Sequence, residues 1–176
     1  MKKIRMILAL MLVSLLMGCS ANLKDGAAYL EEGKYEEAVT AFQKAIEDEK
    51  YGEQAYRGAG IAYFEMGKYE EALGYFKSAF SFKEAGEEFE ETASIYAMKA
   101  ACHLHLGEWK EALASYQEAL ALECTEEMKQ EILFNEIAIY QELGDWDMVK
   151  EKVAAYVESY PDDTRMDKTV EFLETR

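Results

Sequence analysis

Four glycines each open a version of one phrase: GKYEEAVTAF from Gly33, GKYEEALGYF from Gly67, GEWKEALASY from Gly107 and GDWDMVKEKV from Gly144. The glycines stand 34, 40 and 37 residues apart, a base period of 34 with insertions of six and three. Repetition at this length means that one small structural unit is copied along the chain. A catalytic centre is needed once, so the copied residues are expected to build the fold rather than perform chemistry.

Within each phrase the apolar residues fall at intervals of 3, 4 and 3: Tyr35, Ala38, Phe42, Ala45; Tyr69, Ala72, Phe76, Ala79; Trp109, Ala112, Tyr116, Ala119; Trp146, Val149, Val153, Tyr156. That spacing is one stripe of an α-helix. In the first three stripes large and small residues alternate, so a neighbouring helix can approach closely at the alanines. Glu and Lys dominate outside the stripe, as expected of a solvated face. A second helical pattern precedes each glycine, carried by Gly26 and Tyr29, by Tyr56, Ala59, Gly60 and Tyr63, by Tyr96, Lys99, Ala100 and His103, and by Leu133, Ile137 and Tyr140. A Gly directly after a helix supplies the left-handed residue that ends it. Each unit therefore reads helix, Gly turn, helix. Neither helix can bury its stripe alone, and stacking the units buries all of them in a continuous core.

These units resemble tetratricopeptide repeats, whose pattern runs Trp, Leu-Gly and Tyr in the first helix, Gly-x-Tyr-x-x-Ala at the turn, then Phe or Tyr, Ala and a closing Pro. The second unit matches closely through Tyr56, Gly60, Tyr63, Gly67, Tyr69, Ala72, Phe76 and Ala79, and Pro161, the single proline, closes the fourth. The fourth departs most, with Ile137 and Val149 where small residues belong. The resemblance implies an all-α chain, an α-solenoid of four repeats at about 19–52, 53–92, 93–129 and 130–161. A C-terminal capping helix is expected over 162–176, with Thr164 and Asp167 as its capping box and Met166, Val170 and Leu173 as its apolar stripe.

In tetratricopeptide proteins the first helices line a concave surface. The implied lining is a stripe beside the core one: Leu23, Ala27 and Leu30; Arg57, Ile61 and Phe64; Ala97, Ala101 and Leu104; Phe134, Ala138 and Gln141. Apart from Arg57 it carries no charge, although the chain has 35 acidic residues against 19 Lys and Arg. Two readings follow. The stripe is a groove for an apolar peptide or amphipathic helix, with Arg57 facing a carboxylate, or neighbouring first helices hide it. The insertion at 83–92, KEAGEEFEET, is read either as solvated acidic surface or as a partner-specific loop.

The first residues form a targeting segment. Lys2, Lys3 and Arg5 precede an apolar run from Met6 to Met17, too short for a membrane span, which needs about 20 residues. The run ends in Leu16-Met17-Gly18-Cys19, which resembles the lipobox of bacterial lipoproteins. That resemblance implies a signal peptide over 1–18, then cleavage before Cys19 and acylation of this cysteine with chains such as palmitate. Losing Lys2, Lys3 and Arg5 takes the formal charge from −16 to −19, which repels phosphate backbones and argues against nucleic acid as a partner.

No catalytic, metal-binding or cofactor-binding constellation emerges. His103 and His105 point ~200° apart around a helix and cannot share a metal, and His103 is expected to pack in the core. Cys102 and Cys124 are read as partly buried thiols. The expected function is a lipid-anchored, extracytoplasmic adaptor in cell-envelope assembly or proteolysis, on the cell membrane or an outer membrane. The alternative is an oligomeric accessory of a pilus or secretion assembly.

Overall fold

The computed structural model describes residues 21–47, 52–81 and 93–175. The targeting segment with Cys19 and the insertion at 83–92 lie outside the described residues. Two compact units divide the chain, Met1–Glu91 and Thr92–Arg176.

The first unit contains helices α1 (Ala21–Glu31), α2 (Tyr35–Glu47), α3 (Gly52–Glu65) and α4 (Tyr69–Ser81). Each packs on the next, and α1 also touches α3 directly. The second contains α5 (Ala93–Leu106), α6 (Trp109–Leu120), α7 (Glu126–Leu143) and α8 (Trp146–Ser159), followed by a 3-10 turn (Thr164–Met166) and α9 (Asp167–Glu174). Here too α5 to α8 pack in sequence, α5 touches α7, and α9 rests on α8. The described residues are thus stacked helical hairpins, the all-α solenoid class that the sequence implies.

The four turn glycines end their helices in the left-handed region, with φ of 72° at Gly33, 75° at Gly67, 75° at Gly107 and 71° at Gly144. The next residue folds back each time: Lys34 N–H donates to the Tyr29 carbonyl at 2.8 Å, Lys68 to Tyr63 at 2.9 Å, Glu108 to His103 at 2.9 Å and Asp145 to Tyr140 at 3.0 Å. This closure satisfies carbonyls that the helix end would otherwise leave open.

The second-helix stripes form the core. Ala38, Ala45, Ala72, Phe76, Ala79, Ala112, Ala119 and Val149 have no exposed surface. Phe42 shows how the layers lock. A Cβ added at Gly26 would lie 2.7 Å from its ring, and one at Gly58 would lie 2.5 Å from ring carbon Cε1. Only bare backbone on α1 and on α3 leaves room for this ring, so one side chain fastens three helices. Gly60 gives Phe76 the same space, with the ring 2.7 Å from an added Cβ. In the second unit the aromatic is Tyr116, buried in a cluster with Ala100, and Asn135 of α7 donates to its hydroxyl at 3.1 Å. In the fourth repeat Val153 packs with Ile137.

Two sequence expectations need correction. His103 is not a core residue: it is half-buried at the end of α5, and its Nδ1 lies 2.6 Å from Glu108 Oε2. At the matching places in the first two repeats a Lys ammonium sits over a Tyr ring, Lys34 on Tyr29 at 5.9 Å and Lys68 on Tyr63 at 5.8 Å. His103 and Glu108 replace that cation–π contact with a hydrogen bond across the turn. The capping residue of the tail is Asp163 rather than Thr164, since Asp163 Oδ1 accepts from Arg165 N at 3.0 Å. The shift arises because a 3-10 turn precedes α9.

That tail is held by a polar cluster around Arg165. Its Nε and Nη2 grip Asp163, with Nη2 2.6 Å from Oδ2; its Nη1 reaches Glu131 at 2.7 Å and its Nη2 also reaches the Tyr156 hydroxyl at 2.9 Å. Gln130 Nε2 and the Tyr156 hydroxyl both donate to Asp163 Oδ2, at 2.7 and 2.5 Å. The Arg165 guanidinium holds the Asp163 carboxyl well below the usual carboxylate range, with burial opposing and Tyr156 assisting. Burial, then the bond to Asp163, pushes the Tyr156 hydroxyl up to about 12. Below the cluster, Met166 is buried, and Val170 and Leu173 pack against the same core as Val149 and Val153.

Two predictions follow from the packing and the cap. Gly60→Ala should cost about 1–3 kcal/mol by urea unfolding, because the fully buried Phe76 ring cannot yield without off-rotamer strain. Gly74→Ala, where an added Cβ meets nothing within 4 Å, should stabilise by about 0.5–1 kcal/mol. The second concerns pH. A carboxyl whose folded pKa is depressed contributes stability above its unfolded pKa of about 3.9 and loses it as pH falls through the folded value. Hydrogen-exchange protection of the α9 amides should therefore decline as pH drops below about 4. In Asp163→Asn it should already be low at neutral pH.

Candidate functional site: the apolar stripe of the first helices

The first helices α1, α3, α5 and α7 carry the twelve residues that the sequence assigns to a groove, and their fates diverge. In the first unit Leu23 is fully buried within the core formed by Ala38, Phe42, Ala45, Ala55 and Ala59. Ala27 and Ile61 are also buried, at 6% and 5% exposure. The reason is the direct contact between α1 and α3: the small residues that let these helices touch also bury the side chains near their contact. Leu30 and Phe64 stay half-buried. Leu30 packs at the edge of the core, and the Phe64 ring meets Tyr69 edge-on at 5.5 Å.

Arg57 is the one charged member of the stripe, and its surroundings were not legible from spacing. It is buried at 6% exposure, with Nε 3.6 Å from Glu53 Oε1 one turn earlier on α3. The separation is an ion pair rather than a hydrogen bond, and Glu53 Oε1 accepts no hydrogen bond. Burial raises the Glu53 carboxyl above its ordinary range, and Arg57 partly offsets the rise. Arg57 therefore faces an internal carboxylate from α3.

In the second unit Ala97 is buried, while Ala101, Leu104, Phe134, Ala138 and Gln141 are half-buried. Two of these serve the tail. The Arg165 guanidinium lies over the Phe134 ring at 4.3 Å, and Tyr156 lies 6.3 Å from it on centroids. Gln141 Nε2 donates to Thr169 Oγ1 of the capping helix at 3.3 Å. The capping segment thus covers part of the stripe on α7. Leu104, Ala101 and Ala138 make none of these contacts with the tail.

Sequence reasoning also missed Glu136. This residue of α7 is 1% exposed and accepts a bond from Lys152 Nζ at 2.9 Å. A glutamate in the interior of an otherwise apolar helix face was the available signal. Among the described residues no group of three or more His, Cys, Asp and Glu could hold a metal ion. Cys102 is buried and Cys124 half-buried, both as free thiols. Burial pushes the Cys102 thiol up to about 12.

Comparison with known proteins accords with this geometry. Two family models, described as tetratricopeptide repeat and TPR repeat, match residues 53–122 and 26–67. No match emerges among curated proteins. Among solved structures, MamA superposes with a TM-score of 0.64 at 17% identity, covering 77% of this chain and 74% of its own. YrrB, described as a TPR protein with an unusual peptide-binding site, gives a TM-score of 0.63 at 26% identity, with 77% of this chain and 66% of YrrB covered. The first TPR of Spaghetti (RPAP3), solved with the HSP90 peptide SRMEEVD, gives 0.58 at 23% identity over 70% of this chain and 90% of its own. Residues 26–122 are therefore matched by tetratricopeptide-repeat models, and the described residues have the stacked helical-hairpin fold of such repeats.

Proposed function

We propose that the protein is a lipid-anchored, extracytoplasmic adaptor that takes an apolar peptide or amphipathic helix on the open part of its first-helix stripe. The observation that carries this reading is the stripe itself. Apart from Arg57 and Gln141 its side chains are apolar on an acidic protein. Within the first unit Leu30 and Phe64 keep accessible surface after the core is filled, and within the second unit, taken by itself, Ala101 and Leu104 do. Apolar surface beyond what the hairpins consume is the usual mark of an interaction site. Peptide binding by YrrB, a relative of similar fold, supports the same reading. Arg57, buried beside Glu53, is not assigned a partner carboxylate. The groove is assigned to contacts with apolar side chains.

The anchor rests on the resemblance of Leu16-Met17-Gly18-Cys19 to a lipobox. Acyl chains on Cys19 give a durable hold, since each buried CH₂ contributes about 0.8 kcal/mol. Few residues separate Cys19 from α1, which begins at Ala21, so the repeats would work close to the bilayer, where partners in envelope assembly or proteolysis are found. The formal charge of −19 that remains after Lys2, Lys3 and Arg5 are lost from the −16 of the full chain keeps the folded body off an anionic surface.

Two measurements test the parts separately. Cells fed an alkyne fatty acid should label the wild-type chain, and Cys19→Ser should lose the label; persistent labelling would remove the anchor. For the groove, Leu30→Glu combined with Phe64→Glu should abolish crosslinked partner capture in living cells while the helical circular dichroism signal is kept. Phe134 serves the cap, so it is left intact. Equal capture by the double variant would sink the groove.

A further inference from the structure

Apart from Val157 at the far end of α8, the exposed large hydrophobic residues among those described lie at one turn: Leu143 at 42% and Trp146 at 40% exposure. They flank Gly144 between α7 and α8. The Trp146 ring lies 5.1 Å from Phe172 of the capping helix, so α9 extends the apolar surface. The other repeats do not do this. Tyr35, Tyr69 and Trp109, which match Trp146, are half-buried; Met66 and Leu106, which match Leu143, are half-buried, and the remaining match is the polar Glu32.

Carboxylates border this surface. Glu142 precedes Leu143, Asp147 follows Trp146 and Glu171 precedes Phe172; all three are exposed. None has an ion-pair or hydrogen-bond partner among the described residues. Asp145 adds a fourth, already engaged as the cap of α8 through Met148 N at 3.2 Å. Lys150 and Lys168 stand one turn from Trp146 and Phe172, leaving the acids in excess. An aromatic centre within unpaired charges of one sign selects a partner with an apolar strip and charges of the other sign.

We infer that the turn formed by Leu143 and Trp146, extended by Phe172, is a second docking surface, and that its occupant is a basic amphipathic helix. The occupant's leucine-type side chains pack on Trp146, and its flanking Lys or Arg meet Glu142, Asp147 and Glu171. A second copy of this chain is a poor occupant, because it would bring the same carboxylates face to face on a molecule with a formal charge of −16. The surface includes none of the residues assigned to the groove, although Gln141 directly precedes Glu142, and its assignment does not depend on that reading.

The test uses the full chain carrying Trp109→Phe, which leaves Trp146 as the only tryptophan. The probe is a synthetic helix with Leu on one face and Lys on its flanks. Titration should shift Trp146 emission to the blue and saturate. Reversing the rim with Glu142→Lys, Asp147→Lys and Glu171→Lys should weaken binding roughly tenfold or more, consistent with three lost surface pairs. These side chains are exposed and unpartnered, so the fold should tolerate the change. A scrambled peptide of equal charge should bind more weakly. Three results would overturn the assignment: unchanged Trp146 emission on binding, equal affinity for the scrambled peptide, or a blue shift that grows with protein concentration before peptide is added.

Discussion

Phe42 has room for its ring because two helices omit a side chain. Gly26 on α1 and Gly58 on α3 both leave backbone where a Cβ would overlap that ring. A hairpin alone could bury only one side of Phe42. The second side needs the first helix of the following repeat. Fully burying a Phe is worth about 1.5–3 kcal/mol, so this arrangement holds the α1–α2 hairpin to α3. Alternating large and small residues follow from it, as do the close contact of α1 with α3 and the burial of Leu23, Ala27 and Ile61. What remains outside that packing is what is left for recognition.

The repeats solve the same packing problem in different ways. Tyr116 replaces the Phe and brings a hydroxyl, which Asn135 of the next helix satisfies. Burial pushes that hydroxyl's pKa well above its ordinary value, so it stays protonated as a neutral partner. In the fourth repeat aliphatic residues replace the aromatic and the small residue together. The same repeat encloses Glu136 and pairs it with Lys152. Desolvation consumes much of the attraction in a buried pair of this kind, so it adds little net stability, while leaving the buried carboxylate without its partner would be costly. The tail then packs on the fourth repeat through Asp163 and Arg165, a polar clamp above Met166, Val170 and Leu173. This segment covers apolar side chains of α7 and α8 that the α7–α8 hairpin does not bury by itself.

The hairpins were legible because their signals are local and repeated. The turn glycines and the 3, 4, 3 stripe each depend on residues within about three turns of one another, and the period repeats that local signal along the chain. The positive φ at Gly33, Gly67, Gly107 and Gly144 needed nothing more. The groove was less legible because its lining depends on how near two first helices come. The sequence could weigh a hidden stripe against an open one, and the fold divides it: Leu23, Ala27, Arg57, Ile61 and Ala97 are buried, while the others keep partial exposure. The pairing of Arg57 with Glu53 sits at ordinary i, i+4 spacing, yet nothing in the spacing says that both would be enclosed. The cover on Phe134 comes from Arg165, 31 positions away, and no periodicity links the two. The open turn at Trp146 had no signal of its own, since Trp146 occupies the same register as three half-buried aromatics.

The central claim is that a ring on the second helix locks the first helix of its own repeat to that of the next. A double-mutant cycle on Gly58→Ala and Phe42→Leu, read by urea unfolding, tests it directly. The smaller Leu makes room for the new methyl, so the damage from Gly58→Ala should shrink in the Phe42→Leu background, with a coupling of about 1 kcal/mol or more. Simple additivity of the two changes would mean that Phe42 does not bridge α1 and α3, and the account of the stack would fail.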